Sequence, residues 1–111
     1  MRGLVEAWKR GDRVGFGSCF TARAHYLTGD RQHVHGRGAI EDLVPSEESE
    51  RRIVIEGLMV TGVDAEAATA SFRWEASDAD GRRRRGAIVC VLVAEQGEWL
   101  IEDLQNTETR G

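Results

Sequence analysis

From residue 51 onward the apolar and polar positions fall into runs of strand type separated by short turns; before it, apolar residues recur mostly at helical spacing. In "LVEAWKR" (4–10), Leu4, Val5 and Trp8 share a helical face, with Gly11 as terminator and Asp12 as N-cap of the next segment. "RVGFGSCF" (13–20) places Val14, Phe16, Cys19 and Phe20 at roughly helical spacing, although Gly15 and Gly17 each weaken a helix by about 1 kcal/mol relative to Ala. "AHYLT" (24–28) reads as a strand, Gly29-Asp30 as its turn and "QHVH" (32–35) as a short partner. A third helix starts near Arg37 in "GRGAIEDLV", and Pro45 disfavours its continuation. Strands are then predicted at 51–63, 66–77, 83–95 and 98–107, joined by short turns containing Asp64-Ala65, Asp80-Gly81 and Gln96-Gly97. Short turns between consecutive strands make antiparallel hairpins. Helices followed by a long meander predict an α+β fold, with the helices packed on one face of a curved antiparallel sheet.

Two-residue turns would fix the facing partners. Cys90 would lie opposite Asp103, Leu92 opposite Ile101, Arg73 opposite Ile88, Glu75 opposite Gly86, Glu56 opposite Arg73 and Leu58 opposite Ser71. One face then carries Val54, Glu56, Leu58, Ser71, Arg73, Glu75, Ile88, Cys90, Leu92, Ile101, Asp103 and Gln105; the other carries Ile53, Ile55, Met59, Phe72, Trp74, Val89, Val91 and Val93. A slip of one residue in any hairpin flips its faces. The first face is apolar with a few polar groups, the composition of a small-molecule pocket. The second is too apolar to be left in water and predicts a homodimer packed sheet to sheet. The alternative is that the helices cover this second face, which would expose the polar one and lose the pocket.

Composition restricts the partners. The chain has 111 residues and reads as one domain, 1–111; hydrophobic residues are 41% and charged residues 31%. A net charge of −4 gives no reason to expect nucleic acid or an anionic membrane. Cys19 and Cys90 sit in apolar runs and read as buried thiols in a reducing, cytoplasmic compartment. The start "MRGLVEAWKRGD" has no apolar stretch of the signal-peptide kind, and "AIVCVLVA" (87–94) is too short to span a bilayer.

"EAWKRGD", Phe16 and Phe20, "AHYL", "GRGAI" and "GEWLIEDLQNT" together resemble the SnoaL-like members of the nuclear transport factor 2 superfamily. The likeness is to the SgcJ/EcaC type, which closes on a strand of the form W-x-I-x-x-x-Q-N-T, here Trp99, Ile101, Gln105, Asn106 and Thr107. The resemblance implies a cone, a bent sheet wrapped around helices with a pocket inside, and no cofactor. The family holds polyketide cyclases, ketosteroid isomerases, epoxide hydrolases and non-catalytic binding or oligomerisation modules, so function must be argued from the pocket. The opening helix is shorter than the family's, and Arg23 stands where many members carry an acidic residue.

An Arg-x-acid pair on one strand with an Asp on the last strand is similar to the arrangement in limonene-type epoxide hydrolases. This resemblance assigns Arg73, Glu75 and Asp103 as catalytic candidates, with Glu75 in place of the family's Asp. In this reading Asp103 is the base, Arg73 holds its carboxylate and stabilises an oxyanion, and Glu75 is partner or acid. Glu56, Leu58, Cys90, Ile101 and Gln105 would line the pocket beside them. The competing reading makes Arg73, Glu75 and Glu56 an ion-pair ladder on a wet face. His25 and Tyr26 adjoin on the first strand, so one of them faces inward with a hydrogen-bonding or packing role. His33 and His35 share a strand face, but no third ligand stands at a sensible spacing; they read as surface imidazoles and no metal is expected. Arg82–Arg85 reads as a solvated hairpin tip, and Trp8, Phe16 and Phe20 as core. The expected protein is therefore a pocket for an apolar or polycyclic metabolite. It is either a cofactor-free isomerase, cyclase or epoxide hydrolase, or a non-catalytic module that sequesters its ligand.

Overall fold

The computed structural model describes residues 2–45, 50–78 and 80–109, so the ends of the expected 1–111 domain lie outside the described residues. Among the described residues two short helices, two strands, a third short helix and four longer strands follow in order, and the six strands form one curved sheet, an α+β arrangement as the hydrophobic pattern predicts. Helix α1 is Arg2–Arg10; Gly11 ends it at φ 69°, its N–H donating to the Trp8 carbonyl at 3.2 Å. Asp12 caps α2 (Arg13–Gly17), its carboxylate accepting from the Gly15 N–H at 2.9 Å.

The first strand, β1 (Phe20–Leu27), starts at Phe20 rather than Ala24. The reason is non-local: the Ile101 N–H donates to the Cys19 carbonyl at 2.8 Å, and Phe20 pairs in parallel with Ile101 of the last strand. Tertiary pairing here overrides a helical period that two glycines had already weakened. After β2 (His33–His35) comes α3 (Arg37–Glu41). The Arg37 guanidinium fork donates to the Phe20 carbonyl at 2.6 and 3.2 Å and so ties α3 to the start of β1.

Strands β3 (Glu50–Gly62), β4 (Ala67–Asp78), β5 (Arg83–Glu95) and β6 (Glu98–Thr109) form the meander. The sheet order is β2-β1-β6-β5-β4-β3, with β1 and β6 parallel and every other pair antiparallel. The helices pack on one face, around Phe16, Phe20, Ile40, Cys90 and Leu104.

Three local features correct the predicted faces. The Asp78 N–H donates to the Arg82 carbonyl, so three residues rather than two separate β4 from β5. Arg73 therefore faces Ala87 instead of Ile88, and Glu75 faces Arg85 instead of Gly86. The Gln96-Gly97 turn has two residues as predicted, with φ 52° and 81°, and Leu92 does face Ile101. The ladder then shifts at Glu102, so Asp103 pairs with Val91 and Leu104 takes the place opposite Cys90. Glu56 faces Arg73 as predicted, but a bulge at Gly57 (φ 66°) brings Met59, not Leu58, opposite Ser71. Phe72, Trp74, Ile88, Cys90, Ile101 and Leu104 consequently share the helix-covered face. Arg73, Glu75, Val89, Val91, Asp103 and Gln105 share the other. The alternative of a helix-covered Phe72 and Trp74 is the one observed, and that covered face itself forms a pocket.

Candidate functional site

A cavity of about 270 Å³ lies between the first two helices and the covered face of the sheet. Its floor and walls are apolar: Leu4, Val5 and Trp8 from α1, Phe16 from α2, and Ile53, Phe72, Trp74 and Ile88 from the sheet. Trp8, Phe16, Phe20 and Tyr26 form a chain of tilted aromatic contacts with ring centroids 5.3–5.9 Å apart. These rings fix the inner wall.

Polar groups enter at two places. Inside, Tyr26 lines the cavity from β1; burial pushes its phenol up to about 12, so it stays a neutral donor. Among the described residues its hydroxyl has no hydrogen-bond partner. Towards the mouth, the Trp74 indole N–H donates to Asn106 Oδ1 at 2.9 Å. An indole N–H is donor only, so this bond fixes the amide orientation and leaves Asn106 Nδ2 as a donor free of protein partners among the described residues. At the rim Arg84 binds Glu108 through Nε at 2.5 Å, with its guanidinium 5.7 Å from the Trp74 ring centre. Thr28 donates to Asp30 in the turn beside them, where a Cβ on Gly29 would lie 3.1 Å from Glu108. Glu108 and Asp30 are the two carboxylates lining the cavity, and both stand at its mouth.

The predicted site residues separate. Tyr26 lines the cavity, while Cys90 and Ile101 are buried in the core next to it. Burial raises the Cys90 thiol, as it does that of Cys19. Arg73, Glu75 and Glu56 come together around a second hollow of about 330 Å³ on the opposite face, with Arg85 and Thr109. The Arg73 guanidinium lies against Gly57, 3.1 Å from where a Cβ would sit, and makes no ion pair with a described residue. The wet-face reading of these residues is right about the face; the ladder of ion pairs is not formed. Asp103, half-buried, and Gln105, exposed, point the same way as Arg73, and Leu58 is exposed in the β3 bulge. His25 faces away from Tyr26, outward, against His33 and His35. No two of Asp103, Arg73 and Glu75 face the cavity. Asn106 and Trp74 were missed as a pair. The signal was the Q-N-T closing motif itself, whose Asn falls on the inner face once the Glu102 bulge is counted.

No family model and no curated protein matches the chain. Solved structures do. A protein of Nostoc punctiforme, of unknown function and with a cystatin-like fold, superposes with a TM-score of 0.85 at 22% identity, covering 99% of this chain and 73% of that one. A ketosteroid isomerase-like protein of Erwinia carotovora gives 0.83 at 15%, covering 99% and 91%. The association domain of CaMKII from C. elegans gives 0.80 at 12%, covering 96% and 88%. A further neighbour, from Shewanella oneidensis, is described as NTF-2-like. The fold is the cystatin-like cone of the nuclear transport factor 2-like proteins. At these identities the likeness is one of fold, so the chemistry of this cone rests on its own cavity.

Proposed function

We propose that this cone binds a small, flat, largely apolar molecule bearing a hydrogen-bond acceptor, such as the carbonyl of a ring ketone. The observation that carries this reading is the pairing of two free donors, the Tyr26 hydroxyl and Asn106 Nδ2, with otherwise apolar inner walls. A cavity of about 150 Å³ accommodates benzene, so about 270 Å³ suits one or two rings rather than a larger polycycle. A cofactor-free isomerase or cyclase would need a general base, and the ionised candidates in the described lining are Asp30 and Glu108, the second of them bound by Arg84. Binding or sequestration is therefore the reading we favour, in a chain of SnoaL-like, SgcJ/EcaC type.

Trp8 and Trp74 line the cavity, so ligand entry is readable in tryptophan fluorescence. The test compares 1-tetralone with tetralin, which has the same rings without the carbonyl. The ketone is expected to bind roughly fivefold to tenfold tighter, the worth of one or two net hydrogen bonds. Equal affinities, or no saturable binding of either probe, overturn the reading.

The outer face supports a homodimer. It exposes Met59, Val89 and Val91, and the same face carries Arg73 and Arg85 beside Glu56 and Glu75. A two-fold contact sets a patch against itself, and a patch with both signs is self-complementary. Phe72 and Trp74, expected in this interface, are on the covered face instead. Both cysteines are free thiols, which supports a reducing cytoplasmic compartment. Among the described residues no helix is long and apolar enough to cross a membrane.

A further inference from the structure

The chain contains three histidines, and the β1–β2 hairpin brings all three together on the outer face. His25 pairs with His35 across the hairpin, and Leu27 pairs with His33. His33 and His35 therefore share the side of β2 that His25 occupies on β1. His25 Nδ1 and His33 Nε2 are 2.9 Å apart, with the ring planes within 5° of parallel. The His35 ring stacks on His25, centroids 4.4 Å apart. On the other side of β1, the parallel register sets Asp103 beside His25. β2 is the edge of the sheet, and His33 and His35 are exposed.

Two imidazole nitrogens facing each other at this distance hold one proton between them: one ring donates and the other accepts. A metal ion can take the place of that proton once the rings turn, because the N–H···N bond aligns the two nitrogens along one line and a shared metal lies off it. With metal–nitrogen bonds of about 2.0–2.1 Å, a separation of 2.9 Å subtends roughly 90° at the metal. That is the angle between neighbouring ligands in tetragonal or octahedral geometry, and it is narrower than a tetrahedral zinc site needs. Imidazole ligands in tetragonal geometry suit copper(II) and nickel(II). Among the described residues no three candidate side chains already enclose one point. The structure therefore brings the pair within chelating distance, with the His35 ring stacked on His25 and the Asp103 carboxylate adding negative charge in the next strand.

We propose that His25 and His33 form an open two-imidazole site for copper(II) or nickel(II), with His35 as a third ligand recruited on binding. The site is on the opposite side of the sheet from the cavity and is independent of the ligand proposed there.

The test is calorimetric titration of the untagged, chelator-treated full chain with nickel chloride alone. One equivalent should bind. His25→Gln and His33→Gln should each weaken binding by at least about tenfold, and His35→Gln by a smaller factor, because only the first two already stand at chelating distance. Wild-type affinity in the His25→Gln/His33→Gln double variant, or no binding by the wild type, overturns the proposal. Circular dichroism establishes that the variants are folded. Should any fail to fold, the wild type decides. Substoichiometric copper(II) should broaden the imidazole proton resonances of His25 and His33 before any others, and broadening that begins elsewhere overturns the assignment.

Discussion

The Trp74 indole and the Asn106 amide, 32 residues apart in sequence, meet through one hydrogen bond of 2.9 Å that orients both side chains at the cavity mouth. Trp74 is buried, so an unpaired indole N–H there would carry a desolvation cost. Asn106→Leu should destabilise the fold by about 1–3 kcal/mol in urea denaturation. Asn106→Asp keeps an oxygen acceptor for the indole and should recover most of that loss. It also replaces the amide donor with a carboxylate, so its preference for 1-tetralone over tetralin should shrink to what the Tyr26 hydroxyl alone supplies. Tight ketone binding in Asn106→Asp would remove Nδ2 from the ligand assignment.

Tyr26→Phe separates binding from stability. The hydroxyl has no protein partner among the described residues, while the ring packs on Phe16 and Phe20. Deleting the oxygen should change stability by less than about 0.5 kcal/mol and lower ketone affinity roughly twofold to tenfold. A large loss of stability would mean that the hydroxyl holds the fold rather than the ligand.

Tyr26 is the only tyrosine in the chain, so its ionisation can be followed directly by phenolate absorbance. Burial raises its pKa from the usual value near 10 to about 12, because the phenolate would be poorly solvated. Between these values the unfolded chain has released a proton that the folded chain retains. Stability from this group is therefore fully present below about pH 10 and is lost as pH rises through about 12, by roughly 2–3 kcal/mol in all. A spectrophotometric midpoint near 10 in the folded protein would contradict the burial.

The fold class was legible because the strands are long: β5 coincides with the 83–95 segment read from the sequence, and the other meander strands begin and end within two residues of theirs. Gly11 and Asp12 likewise act at the helix boundary as their chemistry predicts. The candidate site was not legible, because side-chain direction in a sheet has a period of two and each single-residue irregularity inverts it. The third loop residue before Arg82 turned Arg73 and Glu75 outward. The bulge at Glu102 separated Asp103 from Ile101 and carried Asn106 inward. Neither feature leaves a mark in hydrophobic alternation, since Val89 and Val91 on one face are as apolar as Ile88 and Leu92 on the other. His25 was readable as a partner of His33 and His35 only once the β1–β2 register was known.

Gly86 is a packing requirement of the cavity wall. It pairs with Trp74, and a Cβ there would lie 2.5 Å from the Thr107 carbonyl oxygen and 2.8 Å from the indole. The backbone oxygen cannot move without opening the β5–β6 ladder. Gly86→Ala should cost about 1–3 kcal/mol by denaturant titration and shift the tryptophan emission. A neutral Gly86→Ala would show that Trp74 does not press on β5.

Val89 tests the outer face. It is 53% exposed on the side of the sheet that the helices leave uncovered, between Ser71 on β4 and Gln105 on β6. In a monomer Val89→Lys would place a charge in water and leave stability within about 0.5 kcal/mol. In a dimer packed through this face the ammonium would meet its symmetry copy and the apolar Met59 and Val91, and both the like charge and its desolvation oppose association. Sedimentation at micromolar concentration should therefore give a dimer for the wild type and a monomer for Val89→Lys, with unchanged far-ultraviolet circular dichroism. A monomeric wild type, or a Val89→Lys dimer of wild-type affinity, would take the interface away from this face. Ketone binding by Val89→Lys should match the wild type in either case, because the cavity lies on the opposite side of the sheet and draws no residue from this patch.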